Sequence, residues 1–167
     1  MKDTTRSLQS GGAPADVEQP VVQDRIDAIF GSDVMADAIR ALVPVMRERE
    51  LLPFLDLAYQ GYGDGIEEDA FAVRALASAG LTFFVANSFS KSMSVYGERA
   101  GALSVVCADP AEAELVLGQM KATVRRNYSS PPIHAAGIIS RVLGDPALRA
   151  AWQADVAAMR ERILAMR

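Results

Sequence analysis

Three short apolar segments constrain the fold of this chain more than any other feature. The other regions of the sequence are mostly helical in pattern. We predict that the three apolar segments form strands over residues 52–57, 82–87 and 102–107. The continuous apolar character of the first is typical of a strand that is covered on both faces. Helices are predicted over residues 34–50, 67–78, 110–126, 132–143 and 145–167. The alternation of strands and helices indicates an α/β sheet.

The composition excludes several classes of protein. The 167 residues are half hydrophobic and carry a net charge of −4, which is a globular profile that argues against a nucleic-acid partner. The chain has no apolar run of about eighteen residues and no visible secretory signal, so we expect a cytoplasmic protein with no membrane partner. Cys107, the one cysteine, excludes an internal disulfide framework. His134, the one histidine, gives little support to a metal site or a Ser-His-Asp triad.

Lys91 is the most unusual of the chemistry-bearing residues, because it lies in a loop between two predicted strands. The segment reads Asn87-Ser88-Phe89-Ser90-Lys91-Ser92-Met93-Ser94-Val95-Tyr96-Gly97-Glu98-Arg99-Ala100-Gly101. Lysine is seldom buried without a partner or a task, and a desolvated lysine can bond covalently to an aldehyde cofactor. Arg99 supplies a forked cation that suits a phosphate group. The plain alternative for Lys91 is a surface lysine in a turn.

Two further clusters lie before and after this loop. Asp56 and Tyr59 come at the carboxyl end of the first predicted strand, and ligands of open α/β sheets gather outside such ends. Taken alone, Asp56 would be read as a helix or turn cap. Arg125 lies near the end of a predicted helix that Pro131-Pro132 cannot continue, where an arginine is an ordinary helix-end cation.

The segment Ser88–Gly101, with its Ser-Phe-Ser-Lys and Tyr-Gly-Glu-Arg pattern, closely resembles the pyridoxal-phosphate site of class I aminotransferases. It looks most like their aromatic amino acid branch, which is near the aspartate branch. The resemblance implies pyridoxal 5'-phosphate as the cofactor, Lys91 and Tyr59 as catalytic residues, and amino group transfer from an amino acid to a 2-oxo acid. It implies these cofactor-binding residues: Asp56, Tyr59, Ser88, Lys91 and Arg99. Arg125 would bind the side-chain carboxylate of a dicarboxylic substrate across a dimer interface, an alternative that we weigh evenly with the helix-end cation.

The resemblance covers roughly residues 38–167 and implies a partial large domain of the type I pyridoxal-phosphate fold, with a mixed or parallel sheet flanked by helices. We expect an unrelated flexible leader with a short helix in 1–33, a partial cofactor-binding domain in 34–144, and the start of the long helix towards a missing small domain in 145–167. The expected protein is a truncated aminotransferase, homodimeric by family and weakly active or inactive alone. The alternative is a non-enzymatic remnant or interaction module that associates with a full-length homologue.

Overall fold

The structure, a computed structural model, describes residues 32–166. Its helices and strands in chain order are α1 (Ser32–Glu48), β1 (Phe54–Leu57), α2 (Phe71–Ser78), β2 (Phe83–Ser88), β3 (Gly101–Val106), α3 (Pro110–Tyr128), α4 (His134–Gly144) and α5 (Pro146–Ala165). Short 3-10 turns lie at Glu68–Ala70 and Tyr96–Glu98. The leader predicted for residues 1–33 lies outside the described residues, except for Ser32 and Asp33, which begin α1.

Each strand and helix predicted within this range is present, with ends displaced by a few residues. β1 begins at Phe54 rather than at residue 52, and the predicted helix over 67–78 is divided into a 3-10 turn and α2. Helix α3 begins as predicted, with Pro110 in its first turn and the Asp109 carboxylate accepting a hydrogen bond from the Glu112 amide at 2.9 Å. Proline needs no amide partner at that position and the aspartate satisfies one of the free amides, so this start is encoded locally.

The three strands form one mixed sheet in the order β1-β2-β3. β1 and β2 are parallel, with Phe54 opposite Phe84 and Leu57 opposite Asn87, whereas β2 and β3 are antiparallel. The prediction of an α/β fold with a mixed sheet is confirmed. Because of these directions, β1 and β2 finish, and β3 starts, at the same end of the sheet, which we call the carboxyl end.

One face of the sheet is covered and holds the core. Helices α1 and α2 pack on it, and the core is built around three buried side chains, Leu76, Phe83 and Val85. Partly buried side chains that pack against these three come from both helices, from β1 and β3, and from the segment just before β2: Ile39, Val43, Met46, Leu55, Leu57, Val73, Leu81 and Val106. Burial of this apolar surface is the main source of stability for the described part of the chain.

The opposite face of the sheet is open in the part of the chain that the structure describes. Phe54 stacks on Phe84 with ring centroids 5.9 Å apart, yet Phe54 remains 60% exposed. Leu103, on the same face, is 50% exposed. The prediction that the first strand is covered on both faces is therefore wrong for residues 32–166, because α1 and α2 both pack against the other face.

Helices α4 and α5 pack against each other and carry a second set of buried residues, namely Ala135, Ile139 and Val156. The Asp145 carboxylate caps α5 by accepting from the Ala147 and Leu148 amides at 3.0 and 3.3 Å. Within residues 32–166, no helix combines the length and the apolar character that crossing a membrane requires.

Candidate functional site

The chemistry-bearing residues meet at the carboxyl end of the sheet. Asp56 lies in β1 and Ser88 ends β2, where it pairs with Gly101 at the start of β3. Asp56 is opposite Ala86, and Ala86 is opposite Leu103, so the Asp56 carboxylate is on the open face of the sheet. The chain leaves this end through two loops, residues 59–65 after β1 (the β1 loop) and residues 89–100 after β2 (the lysine loop).

The β1 loop is folded around one carboxylate, that of Asp69. Its two oxygens accept hydrogen bonds from four main-chain amides: Gly61 at 2.7 Å, Gly63 at 3.0 Å, Asp64 at 2.9 Å and Gly65 at 3.4 Å. Gly61 has a φ of +96°, and an added Cβ there would lie 2.7 Å from Val156 Cγ1. The glycine spacing, which is not a nucleotide-binding fingerprint, therefore serves the tight loop that follows Tyr59.

The amine of Lys91 faces the phenol of the β1 loop. Lys91 Nζ lies 5.0 Å from the centroid of the Tyr59 ring, within the range of a cation–π contact. The Lys91 side chain is half-buried, whereas Tyr59 is 64% exposed. The lysine loop itself is closed at its base by a hydrogen bond from the Phe89 amide to the Ala100 carbonyl at 3.1 Å. The structure thus brings together two of the residues that the sequence predicted to act together.

Arg99 and Ser88 lie at the base of the lysine loop. Arg99 has a left-handed backbone, with a φ of +54°, and its guanidinium Nη1 donates to the Tyr96 carbonyl at 3.1 Å. Such a conformation is uncommon for residues other than glycine and often marks a functional loop. The Ser88 hydroxyl accepts a hydrogen bond from the Ser90 amide at 3.3 Å. The arginine is exposed and is positioned near the same end of the sheet as Lys91.

Arg125 is bonded locally, within its own helix end, and, among the described residues, not to those at the carboxyl end of the sheet. It is exposed in the last turn of α3, and its Nη1 donates to the Ser129 hydroxyl at 3.1 Å. Among residues 32–166, no hydrogen bond links it to the lysine loop. Both sequence interpretations of this arginine, the helix-end cation and the ligand for a substrate carboxylate, therefore stay predictions.

Three residues of this region had no predicted role. Asp69 folds the β1 loop, the Tyr62 hydroxyl donates to the Lys91 carbonyl at 3.0 Å, and Trp152 Nε1 donates to the Ser92 carbonyl at 2.6 Å. Burial raises the pKa of Tyr62 above its ordinary value, and Tyr96 nearby raises it further. Glu67, Glu68 and Asp69 all follow the glycines, so the sequence could have predicted a carboxylate for this loop but not which of the three. The contacts of Tyr62 and Trp152 bridge 29 and 60 residues, so no local pattern could have revealed them.

The family model for "Aminotransferase class I and II" matches residues 18–167 of this chain. The chain belongs to this family. The matched range starts before residue 38, where the sequence resemblance was placed, and so includes part of the expected leader.

Individual relatives agree with this assignment. The chain is 59% identical over 137 residues to the aromatic-amino-acid aminotransferase of Escherichia coli, and 51% identical over 137 residues to an aspartate aminotransferase of Pseudomonas aeruginosa. Each alignment covers 82% of this chain and 34% of the relative. The chain thus spans about a third of the length of these relatives.

Solved structures show the same relation. An aromatic amino acid aminotransferase from Psychrobacter sp. B6, cocrystallised with aspartic acid, superposes with a TM-score of 0.76 at 49% identity, over 78% of this chain and 33% of that chain. An aromatic-amino-acid aminotransferase from Burkholderia pseudomallei, covalently bound to pyridoxal phosphate, gives a TM-score of 0.75 at 52% identity, over 77% of this chain and 32% of that chain. The prediction of the type I pyridoxal-phosphate fold is confirmed.

Enzymes of class I in this family depend on pyridoxal phosphate, and the residues at the carboxyl end of the sheet fit that group. An amine that can bond to its aldehyde lies over a phenol that can donate to its ring oxygen. Asp56 offers a carboxylate for the ring nitrogen on the open face, and Arg99 offers a guanidinium for the phosphate.

Proposed function

We propose that this chain carries the cofactor-binding part of an aminotransferase that transfers amino groups from aromatic amino acids, aspartate or glutamate to a 2-oxo acid. The observation that carries the proposal is the position of Lys91 Nζ, 5.0 Å over the Tyr59 ring at the carboxyl end of the sheet. Membership of the aminotransferase family and the aromatic and aspartate relatives support the reaction and the substrate class.

When bound, pyridoxal phosphate supplies an aldehyde that condenses with amines and a ring that accepts electron density from the substrate. We assign two catalytic residues. Lys91 would bind the aldehyde of the cofactor through Nζ, and the same atom would move a proton at the substrate Cα. Tyr59 would donate a hydrogen bond from its hydroxyl to the ring oxygen of the cofactor, and its ring lies 5.0 Å from Lys91 Nζ in the structure.

The remaining assignments concern binding of the cofactor. The carboxylate of Asp56 would pair with the ring nitrogen and keep it protonated, because an opposite charge favours the charged form. Ser88 and Arg99 bind the phosphate, the first through its hydroxyl and the second through its planar fork of N–H donors. The position of both residues at the base of the lysine loop, next to the ends of β2 and β3, supports this assignment.

Capture of the cofactor at one lysine tests the proposal. The chain is incubated with pyridoxal phosphate, reduced with borohydride and mapped by mass spectrometry. We expect the label on Lys91, and its loss in Lys91→Ala. Lys121→Ala is the matched control, because Lys121 is an exposed lysine of α3, and it is expected to trap the label as the unaltered chain does. Labelling at another residue, or none, would count against the proposed function.

Substrate choice is assigned to Arg125, whose guanidinium can pair with a second carboxylate across a homodimer interface. In the chain loaded with pyridoxal phosphate, we expect Arg125→Ala to slow the absorbance change with aspartate about tenfold or more and to leave that with phenylalanine within about twofold. Arg126→Ala, the neighbouring arginine of the same helix turn, is the control and should change neither. Equal effects on both amino acids would remove Arg125 from the assignment.

We further propose that turnover by the isolated chain is weak. Tyr59, Asp56 and Arg99 are all exposed in the described structure. Transamination requires a site that excludes water and holds its reactants in a near-attack geometry. Cofactor capture with slow turnover is therefore the expected result for the chain alone, and turnover at the rate of a full-length homologue would contradict it.

The second candidate is a non-enzymatic module that associates with a full-length homologue. It is favoured by apolar side chains that stay exposed in the described residues, such as Leu115 at 74% and Ile133 at 82%. Mixing the chain with a full-length relative and measuring mass by light scattering tests it. A monomer that does not bind the relative excludes this candidate, whereas a stable complex without trapping at Lys91 favours it.

We also propose homodimeric assembly and a cytoplasmic location. Class membership supports the first, and a single cysteine, which cannot form an internal disulfide, agrees with a reducing compartment. Light scattering of the purified chain measures the assembly, and fractionation of cells that express it measures the location. A strict monomer, or recovery in a secreted fraction, would contradict the respective assignment.

A further inference from the structure

The main-chain carbonyl of Lys91 is held from two sides. The Tyr62 hydroxyl donates to it at 3.0 Å, and the Ser94 amide donates to it at 3.1 Å. A carbonyl oxygen has two lone pairs, so its capacity to accept hydrogen bonds is filled. Ser94 belongs to the lysine loop itself, whereas Tyr62 belongs to the β1 loop, 29 residues earlier in the chain. The Tyr62 hydroxyl therefore links the β1 loop to the main chain of Lys91 by a hydrogen bond.

The ring of Tyr62 completes a closed set of contacts. It packs edge-on against the Tyr59 ring, with centroids 6.5 Å apart and planes at 81°. Lys91 Nζ in turn lies 5.0 Å over the Tyr59 ring. Tyr62 thus contacts the main chain of the lysine with its hydroxyl and the aromatic partner of the amine with its ring.

Helix α5 contacts Tyr62 and its neighbour Gly61. The phenol oxygen lies 3.6 Å from Met159 Sδ, and Arg160 Nη1 approaches the Gly61 carbonyl at 3.5 Å. A tyrosine hydroxyl with its ordinary pKa of 10.0 is already protonated at neutral pH, and burial, followed by Tyr96, raises the pKa of Tyr62 further. The donor is therefore both restrained and in the correct protonation state.

We propose that Tyr62 is a positioning residue, whose hydroxyl fixes the main chain of Lys91 so that the amine stays over the Tyr59 ring, where the cofactor is captured. This inference rests on the proposed function, because the position of the amine matters only if Lys91 reacts. Loss of a single neutral hydrogen bond changes an equilibrium roughly two- to tenfold, and an effect of this size is expected.

The test measures the reactivity of the amine without any cofactor. The unaltered chain, Tyr62→Phe and Tyr128→Phe are labelled briefly with acetic anhydride, and the rate at Lys91 is divided by the rate at Lys121. The phenylalanine at 62 keeps the ring contacts, and circular dichroism checks that the fold is retained. We expect the ratio to rise about two- to tenfold in Tyr62→Phe, because the amine leaves the ring more often. Tyr128→Phe removes an exposed hydroxyl in α3 and should leave the ratio unchanged.

A second measurement separates this inference from the proposed function. The affinity for pyridoxal phosphate, followed by its absorbance, should weaken about two- to tenfold in Tyr62→Phe. A role confined to stability would lower the unfolding midpoint and leave both the labelling ratio and this affinity unchanged, which would overturn the inference. If the unaltered chain does not trap the cofactor at Lys91, the proposed function fails, and the labelling ratio still decides whether Tyr62 positions the amine.

Discussion

The two loops at the carboxyl end of the sheet differ in the side chains that bind their main chains. The β1 loop is held by Asp69, which lies at most eight residues from the amides that it binds. The lysine loop is held by Tyr62 and Trp152, whose partners lie 29 and 60 residues away. Four main-chain amides of the first loop are therefore bound by one nearby side chain, whereas the Lys91 and Ser92 carbonyls of the second loop are bound by side chains from distant parts of the fold. The reactive amine is on the loop that depends on distant contacts.

This contrast has a consequence for stability. A loop with local hydrogen bonds can keep its conformation when neighbouring elements shift, whereas a loop tied to a distant helix moves with that helix. On α5, Trp152 binds the Ser92 carbonyl of the lysine loop, whereas Met159 and Arg160 contact Tyr62 and Gly61 of the β1 loop. A change in α5 is thus expected to reach Lys91, and the four predictions below separate the contributions of the two loops.

Gly61→Ala should be the most damaging change. The backbone there has a φ of +96°, and the added Cβ would meet Val156 Cγ1 at 2.7 Å. We expect a loss of about 2–4 kcal/mol in the free energy of unfolding, measured by urea denaturation. Gly80→Ala is the matched control, because Gly80 has a φ of +66° with open space around it, and it should cost about 1 kcal/mol. Equal losses would show that the contact with α5 is unimportant.

Asp69→Asn should cause the second-largest loss in the free energy of unfolding. The substitution replaces one carboxylate oxygen with an amide that cannot accept, so two of the four main-chain amides lose their partner. We expect a loss of about 1–3 kcal/mol in the free energy of unfolding. Asp64→Asn alters an exposed carboxylate of the same loop and should stay within about 0.5 kcal/mol of the unaltered chain. A neutral Asp69→Asn would mean that the loop is held from elsewhere.

Trp152→Phe should weaken the lysine loop with a smaller effect. It removes the donor to the Ser92 carbonyl but keeps an aromatic ring in a half-buried position. We expect a loss of about 1 kcal/mol, followed by circular dichroism because Trp152 is the one tryptophan of the chain. Faster cleavage of residues 89–100 by a protease, with residues 59–65 unaffected, would sharpen the contrast between the loops. Parallel changes in both loops would remove it.

The smallest expected effect is a pH dependence from Tyr62. Its folded-state pKa is raised above the ordinary value of 10.0, mainly by burial and then by Tyr96. The native state then holds the proton more tightly than the unfolded state, so this contribution is present below pH 10 and is lost as the pH rises through the folded-state pKa. Unfolding free energies of the unaltered chain and Tyr62→Phe should therefore converge as the pH is raised above 10. A constant difference would contradict the assignment.

Much of the fold could be predicted from the sequence. The apolar segments that became β1, β2 and β3 and the helix starts at Asp109-Pro110 and Asp145-Pro146 depend on short-range patterns, namely apolar runs, capping side chains and proline in the first turn. The cofactor motif around Lys91 is also a contiguous run of residues, so the family could be identified from it. The exposure of one face of β1 could not be predicted, because an apolar strand does not specify which elements pack on it.

Residue order alone was enough for the class of the protein, for its strands and helices, and for placing an amine, a phenol and a carboxylate at strand ends. Folding supplied the parallel pairing of β1 with β2, which puts Asp56 and Lys91 at the same end of the sheet, and the Tyr62 and Trp152 hydrogen bonds that hold the lysine loop. The physical reason is range. Caps, turns and apolar runs act over a few residues, whereas the partner of a hydroxyl or an indole is chosen by packing between segments that are far apart in the chain.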